Sequence, residues 1–359
     1  MDKTDIEGSS AMIAVNCGDN IFRDVILGLA AYEKYSIIDN IRSDIKQVFV
    51  ADPIGIPIFH YSNRQAIIDS TSDIIIIDMI TESYATHFYF SDYPKNKTYL
   101  LFSNGWWDES KVDLGFRYKL LHWNYFLYDY VKRATSSNLI DYFQDKKYNF
   151  NIKKEFEFTG LVGVIKEWRS ELVTKLIDQI PYDNYILNYA GKDTNQNSQH
   201  LDINYKFNRF DSKSPIQDYF TLSSSIPIRI YDKTKVLLIA ESTCSDFNEF
   251  HLTEKTIKAL LTGIPFIIVG SYKFLEHLHN LGFKTFSDCW SEEYDNVSNP
   301  SDRIDEIVRV LKQIPSIEWN QNLIDKFEKI AYHNKTQLLN VNSIMKRQLE
   351  LIVKQVEEL

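Results

Sequence analysis

Residues 235–270, KVLLIAESTCSDFNEFHLTEKTIKALLTGIPFIIVG, constrain the fold more than any other stretch of the chain. An unbroken apolar run covers 236–240, Ile257, Leu260 and Leu261 recur at helical spacing, and 264–269 is apolar again. The order is therefore strand, loop, helix, strand, a βαβ unit. Thr253 is an N-cap candidate, Gly263 a C′ candidate, and Pro265 stands where a helix can no longer continue, so both helix ends carry signals. Neither strand alternates polar with apolar, as expected of strands covered by helices on both faces of a parallel sheet. Such sheets bind ligands at the carboxyl ends of their strands. Glu241 and the helix entrance Thr253-Glu254-Lys255 are both expected there.

The rest of the chain repeats the theme. Short apolar runs at 12–16, 48–51, 74–77 and 99–102 read as buried strands, each followed by polar or turn residues. Strands recurring between helical stretches argue for a parallel sheet. The aromatic-rich 116–145 reads as helical, and the polar, lysine-rich 144–154 as a linker between two α/β halves. The second half opens with a strand over 158–165, a helix over 167–180 with Arg169 in its first turn, and a strand over 185–189. Residues 191–225 are polar with little periodicity and read as a long loop. After the βαβ unit, Phe274, Leu275 and Leu278 pattern a helix stopped by Gly282, Ile304 to Ile314 pattern another, and the chain ends in helices without strands.

Composition narrows the function. A chain of 359 residues with 44% hydrophobic and 25% charged residues belongs to the globular class and is long enough for two cores. The net charge of −9 and the lack of a Lys/Arg stripe argue against general nucleic-acid binding. Three scattered cysteines, Cys17, Cys244 and Cys289, supply neither a disulfide framework nor a zinc ligand set. With no apolar run long enough to span a membrane and no apolar signal core at the start, a soluble cytoplasmic protein is expected.

Glu241-Ser242 after a strand, a loop, and then LTEKTIKALLTGIPFIIVG resemble the donor-binding signature of glycosyltransferase family 10, the α1,3-fucosyltransferases. The family's stretch is similar: strand, E-N/S, Y-V-T-E-K, amphipathic helix, apolar strand and Gly. FTGLVGVIKEWRSELVTKLID more loosely resembles the start of that family's donor domain. Ser242 stands where the family more often has Asn, and Leu252 where it often has Val. The resemblance implies an α/β chain of the GT-B fold: two Rossmann-like domains facing a cleft, with C-terminal helices crossing back. The expected division is an acceptor-binding domain at 10–148, a donor-binding domain at 155–330 and a helical tail at 331–359.

Sugar transfer passes through an oxocarbenium-like transition state, so negative charge builds on the departing diphosphate while the acceptor hydroxyl loses a proton. Enzymes of the A fold hold a metal on an Asp-x-Asp motif, which this sequence lacks. Arg, Lys and a helix N-terminus can carry the charge instead. Lys255 and Arg169 are candidates for that electrostatic role, with Lys166 competing with Arg169. The resemblance assigns the donor ribose to Glu254 and places Glu241 and Thr253 in the same pocket. No cofactor is expected beyond a nucleotide-sugar co-substrate, with GDP-fucose implied by the family, and the partner is a glycan acceptor. The general base is expected from a carboxylate of the first domain: Glu109 is favoured, with Asp108, Glu82 and Asp78 as alternatives.

Each reading has a plainer counterpart. Thr253-Glu254 can be a helix cap with a first-turn acid, Lys255 a solvated lysine, Arg169 an ordinary ion-pair arginine, and Trp106-Trp107 interface packing rather than a sugar platform. Two other functions fit the motifs: transfer onto a hydroxymethylated DNA base, which the acidic charge disfavours, and a nucleotide-sugar-binding protein without catalysis.

Overall fold

The structure, a computed structural model, describes residues 12–15, 36–38, 47–51, 74–79, 95–96, 98–111, 113–124, 126–127, 130–131, 154–163, 166–180, 185–192, 198–202, 226 and 228–357. The chain divides into two compact units, one of residues 1–125 with 343–359 and one of residues 126–342. Both are α/β, and both are built on largely parallel sheets.

The first unit carries strands β1 (Met12–Val15), β2 (Ser36–Ile38), β3 (Gln47–Ala51), β4 (Ile74–Met79), β5 (Thr98–Ser103) and β6 (Tyr118–His122). They form a six-stranded sheet in the order β2-β1-β3-β4-β5-β6. Every pairing is parallel. Tyr99, Leu101, Leu120 and Leu121 are buried in it. The strand β6 corrects the expectation of helix across 116–145. A short apolar run cannot be typed by periodicity, and pairing with β5, Leu101 opposite Leu120, fixes it as extended. The strand β2 was not legible at all, because three residues leave no pattern to read. Most of the linker at 144–154 and residues 203–225 lie outside the described residues.

In the second unit the sequence runs β7 (Phe156–Val162), α1 (Glu167–Gln179), β8 (Tyr185–Lys192), β9 (Ser198–Asp202), β10 (Thr234–Ala240), α2 (Glu254–Thr262), β11 (Phe266–Val269), α3 (Phe274–Asn280), α4 (Pro300–Gln313) and α5 (Gln321–Leu339). The final helix, α6 (Val341–Glu357), belongs to the first unit from Ser343 onward. There the Asn124 backbone N–H donates to Gln348 Oε1 of α6 at 3.2 Å. Among the described residues no helix is long and apolar enough to cross a membrane.

The second sheet has the order β9-β8-β7-β10-β11. Its inner four strands are parallel and β9 is antiparallel to β8. This corrects the reading of 191–225 as one loop. Ser-Gln-His-Leu-Asp has little strand propensity, and cross-strand pairing overrides it. From β7 the chain first moves one way, to β8, and later returns to the other side of β7 as β10. The order reverses between β7 and β10, and in open α/β sheets the crevice at such a reversal is where ligands bind.

The βαβ unit forms as its sequence indicates. In β10 all residues but Lys235 are buried, and β11 is buried throughout. The helix α2 starts at Thr253, whose hydroxyl accepts the Lys255 N–H, and ends at Gly263, a left-handed residue with φ 74°. A Cβ on Gly263 would also meet the Ala331 Cβ of α5 at 3.0 Å. Glycine is thus required by conformation and by close helix approach. Below the sheet, Phe266, Phe286, Trp290 and Phe327 interlock, with Phe266 edge-on to Phe286 at 5.0 Å.

Beside this core Glu292 is half-buried, accepting the Phe286 N–H at 2.8 Å and the Thr285 hydroxyl at 2.5 Å, while His279 Nε2 lies 2.8 Å from the same hydroxyl. Burial pushes the Glu292 carboxyl up to about 7. A carboxyl raised in the native state binds its proton more tightly there than in the unfolded chain. Its contribution is therefore full below the usual value of 4.5 and is lost as pH rises through 7. Relative to Glu292→Gln, the wild type is expected to lose about 2–3 kcal/mol between pH 5 and pH 8. Urea unfolding of both proteins at the two pH values checks this, and parallel pH profiles would refute it.

Candidate functional site

The crevice between β7 and β10 collects most of the residues singled out in the sequence. From the β7 side comes the entrance of α1. Arg169 is only 3% exposed. Its Nη2 donates to the Glu241 carbonyl at 2.5 Å, with the Ala240 carbonyl at 3.5 Å, and its guanidinium lies over the Trp168 ring at 4.9 Å. Lys166, at the N-cap position of α1, is half-buried and donates from Nζ to the Ser242 carbonyl at 2.7 Å. Both cations grip the turn that leaves β10.

From the β10 side come Glu241 and α2. The Glu241 side chain is fully buried and accepts hydroxyl hydrogen bonds from Thr253 and Thr256, the latter at 2.5 Å. The Thr253 hydroxyl is a node. It donates to Glu241 and accepts from the Lys255 backbone N–H at 3.4 Å and from Lys255 Nζ at 3.3 Å. Lys255 Nζ also lies 3.5 Å from Ser242 Oγ and 3.4 Å from Glu254 Oε1. Two ammonium groups from opposite walls thus meet at Ser242. The cap and the functional reading of Thr253-Glu254-Lys255 do not compete, since one hydroxyl starts the helix and aims the lysine.

Glu254 adds its field to that of its surroundings. Tyr130 and Tyr231 are pushed well up, chiefly by burial and further by Glu254. Lys258, one turn along α2, is brought down to about 8 by burial against the pull of Glu254.

The loop between Glu241 and Thr253 is held at further points. Glu249, whose carboxyl burial raises, accepts from Ser245 at 2.8 Å and Ser271 at 2.9 Å. Arg303 of α4 donates to the carbonyls of Ser245 and Val297 at 2.6 and 2.5 Å. A loop pinned this way is preorganised, which suits electrostatic stabilisation of a developing charge. What the arrangement offers chemically is a concentration of positive charge: two lysine ammoniums beside the positive end of the α2 dipole.

No family model matches the chain, and no curated protein matches it. Among solved structures it is similar to an α1,3-fucosyltransferase with GDP, at 11% identity over 98% of this chain and 93% of that one, with a TM-score of 0.38. It is also similar to a variant of the wall teichoic acid polymerase TagF, at 10% identity over 98% of this chain and 90% of that one, with a TM-score of 0.26. Both scores are too low for either likeness to decide the function.

Of the site residues expected from the sequence, Arg169, Glu241, Thr253, Glu254 and Lys255 come together. Asp108 and Glu109 belong to the first unit, after β5, and Glu82 lies outside the described residues. The structure separates the two neighbours. Asp108 accepts from the Ser110 hydroxyl at 2.7 Å and the Ser110 N–H at 3.0 Å, bonds that lower its pKa. Glu109 opens a single 3-10 turn and is raised by burial, against the Leu120 N–H and Lys119. Trp107 is buried, with Nε1 donating to the Tyr118 hydroxyl at 3.3 Å. Thr256, Glu249 and Arg303 escaped the sequence reading. Only Thr256 left a signal, three residues after Thr253 and so on the same helix face.

Proposed function

We propose that this chain is a glycosyltransferase that moves a sugar, with inversion and without a metal, from a nucleotide diphosphate sugar to a glycan hydroxyl, on a GT-B fold. The observation that carries the reading is the meeting of Lys166, Arg169, Glu241, Thr253 and Lys255 at the reversal point of the second sheet. Cations at the entrances of α1 and α2, with the α2 N-terminus, balance the charge that builds on the departing diphosphate as the anomeric bond breaks. That charge is what an A-fold enzyme gives to a metal. Glu254 at the α2 entrance takes the ribose hydroxyls, and the family resemblance makes GDP-fucose the first donor to try.

The general base is Glu109. It takes the acceptor hydroxyl proton as that oxygen bonds to the anomeric carbon on the face opposite the diphosphate, and the leaving group carries away the electron pair. Burial raises the Glu109 carboxyl, which brings it nearer to the working pH of a base, whereas the Ser110 bonds make Asp108 a weaker one.

A thermal-shift panel of GDP, UDP, ADP, CDP and TDP, with and without EDTA, tests the donor site. A ligand at a hundred times its Kd stabilises by about 2.7 kcal/mol. One diphosphate is expected to raise Tm to the same extent with and without EDTA. No shift, or a shift that EDTA removes, overturns the reading.

A further inference from the structure

We propose that Lys166, and not Arg169, is the cation of the α1 entrance that touches the donor diphosphate, and that Arg169 is a positioning residue acting through the β10 turn. The inference rests on the donor site proposed above. Arg169 is the residue sequence reasoning favours, because Arg presents a planar fork suited to phosphate. Its surroundings point elsewhere. At 3% exposure the guanidinium lies under the turn, and Nη2 is engaged by the carbonyls of Ala240 and Glu241. Those two carbonyls end β10, so Arg169 sets where Glu241 and Ser242 leave the sheet.

Lys166 stands one turn earlier and is half-buried rather than enclosed. Its ammonium meets the Ser242 carbonyl at 2.7 Å, while the Lys255 ammonium reaches the Ser242 hydroxyl at 3.5 Å from the other wall. Ser242 is thereby flanked by two point charges, and the Lys166 ammonium can swing from a neutral oxygen of Ser242 to an anionic one of a ligand. The exchange favours the ligand, since a hydrogen bond between charged partners is roughly twice as strong as one to a neutral acceptor. A diphosphate has a negative charge for each lysine. Arg169 Nη2 cannot make the same exchange without releasing the turn it holds, and Nε is buried away from the surface.

The test separates touching from positioning through the ratio of two affinities. Titration calorimetry measures GDP, UDP, ADP, CDP and TDP, and each parent nucleoside, against wild type, Lys166→Met, Lys166→Arg and Arg169→Lys. Lys166→Met is expected to weaken the responding diphosphate by about ten- to a hundred-fold and to leave the parent nucleoside within about two-fold, with Lys166→Arg restoring most of the loss. Arg169→Lys is expected to lower Tm and to weaken nucleoside and diphosphate together. Lys166→Gln, which can still donate to Ser242, replaces the methionine variant if that one does not fold. Unchanged diphosphate affinity in the Lys166 variants overturns the inference. So does equal loss of nucleoside and diphosphate, or a diphosphate-selective loss in Arg169→Lys alone. If the wild type binds no nucleoside diphosphate, the donor site itself is refuted, a result distinct from the others.

Discussion

Lys255→Ala is expected to lower kcat/KM for sugar transfer by about a hundred- to a thousand-fold, the usual effect of removing one preorganised donor from a developing anion. The size follows from how the ammonium is held. Lys255 sits in the first turn of α2, its side chain is 25% exposed, and the Thr253 hydroxyl that caps the helix also fixes Nζ at 3.3 Å. No reorganisation is needed when charge appears on the leaving diphosphate. The helix dipole adds to the lysine. Lys255→Arg should recover part of the rate, because the charge returns on a longer, planar group that fits the Thr253 node less well. Steady-state kinetics on both variants, with Tm measured alongside, checks this. A folded Lys255→Ala enzyme within about ten-fold of wild type would remove the lysine from the mechanism.

The second large effect concerns stability. Glu241→Ala is expected to cost about 2–5 kcal/mol, by the following reasoning. The carboxylate is fully buried and holds the hydroxyls of Thr253 and Thr256, which are 1% and 0% exposed. Its removal strands those donors, and an unsatisfied buried polar group costs about 1–3 kcal/mol. Glu241→Gln keeps one carbonyl acceptor and the side-chain volume, so it should cost less than half as much. Thr256→Val, which removes one donor and leaves the carboxylate with Thr253, should fall between them. Urea unfolding orders the three variants. A Glu241→Ala protein within 1 kcal/mol of wild type would mean that the carboxylate is not what joins β10 to α2.

The parts of the molecule legible in sequence are those where local signals agree with tertiary demands. In 235–270 the apolar strands, the Thr253 cap and the Gly263 stop all point to one answer, and the structure has the strands and helix there. At β6 the signals conflict: Tyr-Lys-Leu-Leu-His is too short to show a period, and its extended form comes from β5 beside it. At β9 a polar pentapeptide becomes a strand through pairing to β8 alone. The candidate site divides the same way. Glu254 and Lys255 were visible because a helix entrance has a signature. Arg169 was visible as a charge, but its role was not, because burial and the carbonyls it meets come from β10, some seventy residues along the chain. Arg303, in the first turn of α4, carries no signal in the sequence, because its 1% exposure comes from the 244–245 loop, some sixty residues away.

The most direct test of the central claim is turnover. Wild-type protein is incubated in EDTA with GDP-fucose and other nucleotide sugars and with a panel of glycan acceptors, and two quantities are followed: released nucleoside diphosphate and the anomeric configuration of the product. The expected result is acceptor-dependent release from one donor, an inverted glycoside, and loss of that release in Lys255→Ala. Acceptor-dependent release that appears only when a divalent metal is restored, or a product that retains the donor's configuration, would contradict the mechanism. No release from any donor would contradict the assignment as a glycosyltransferase.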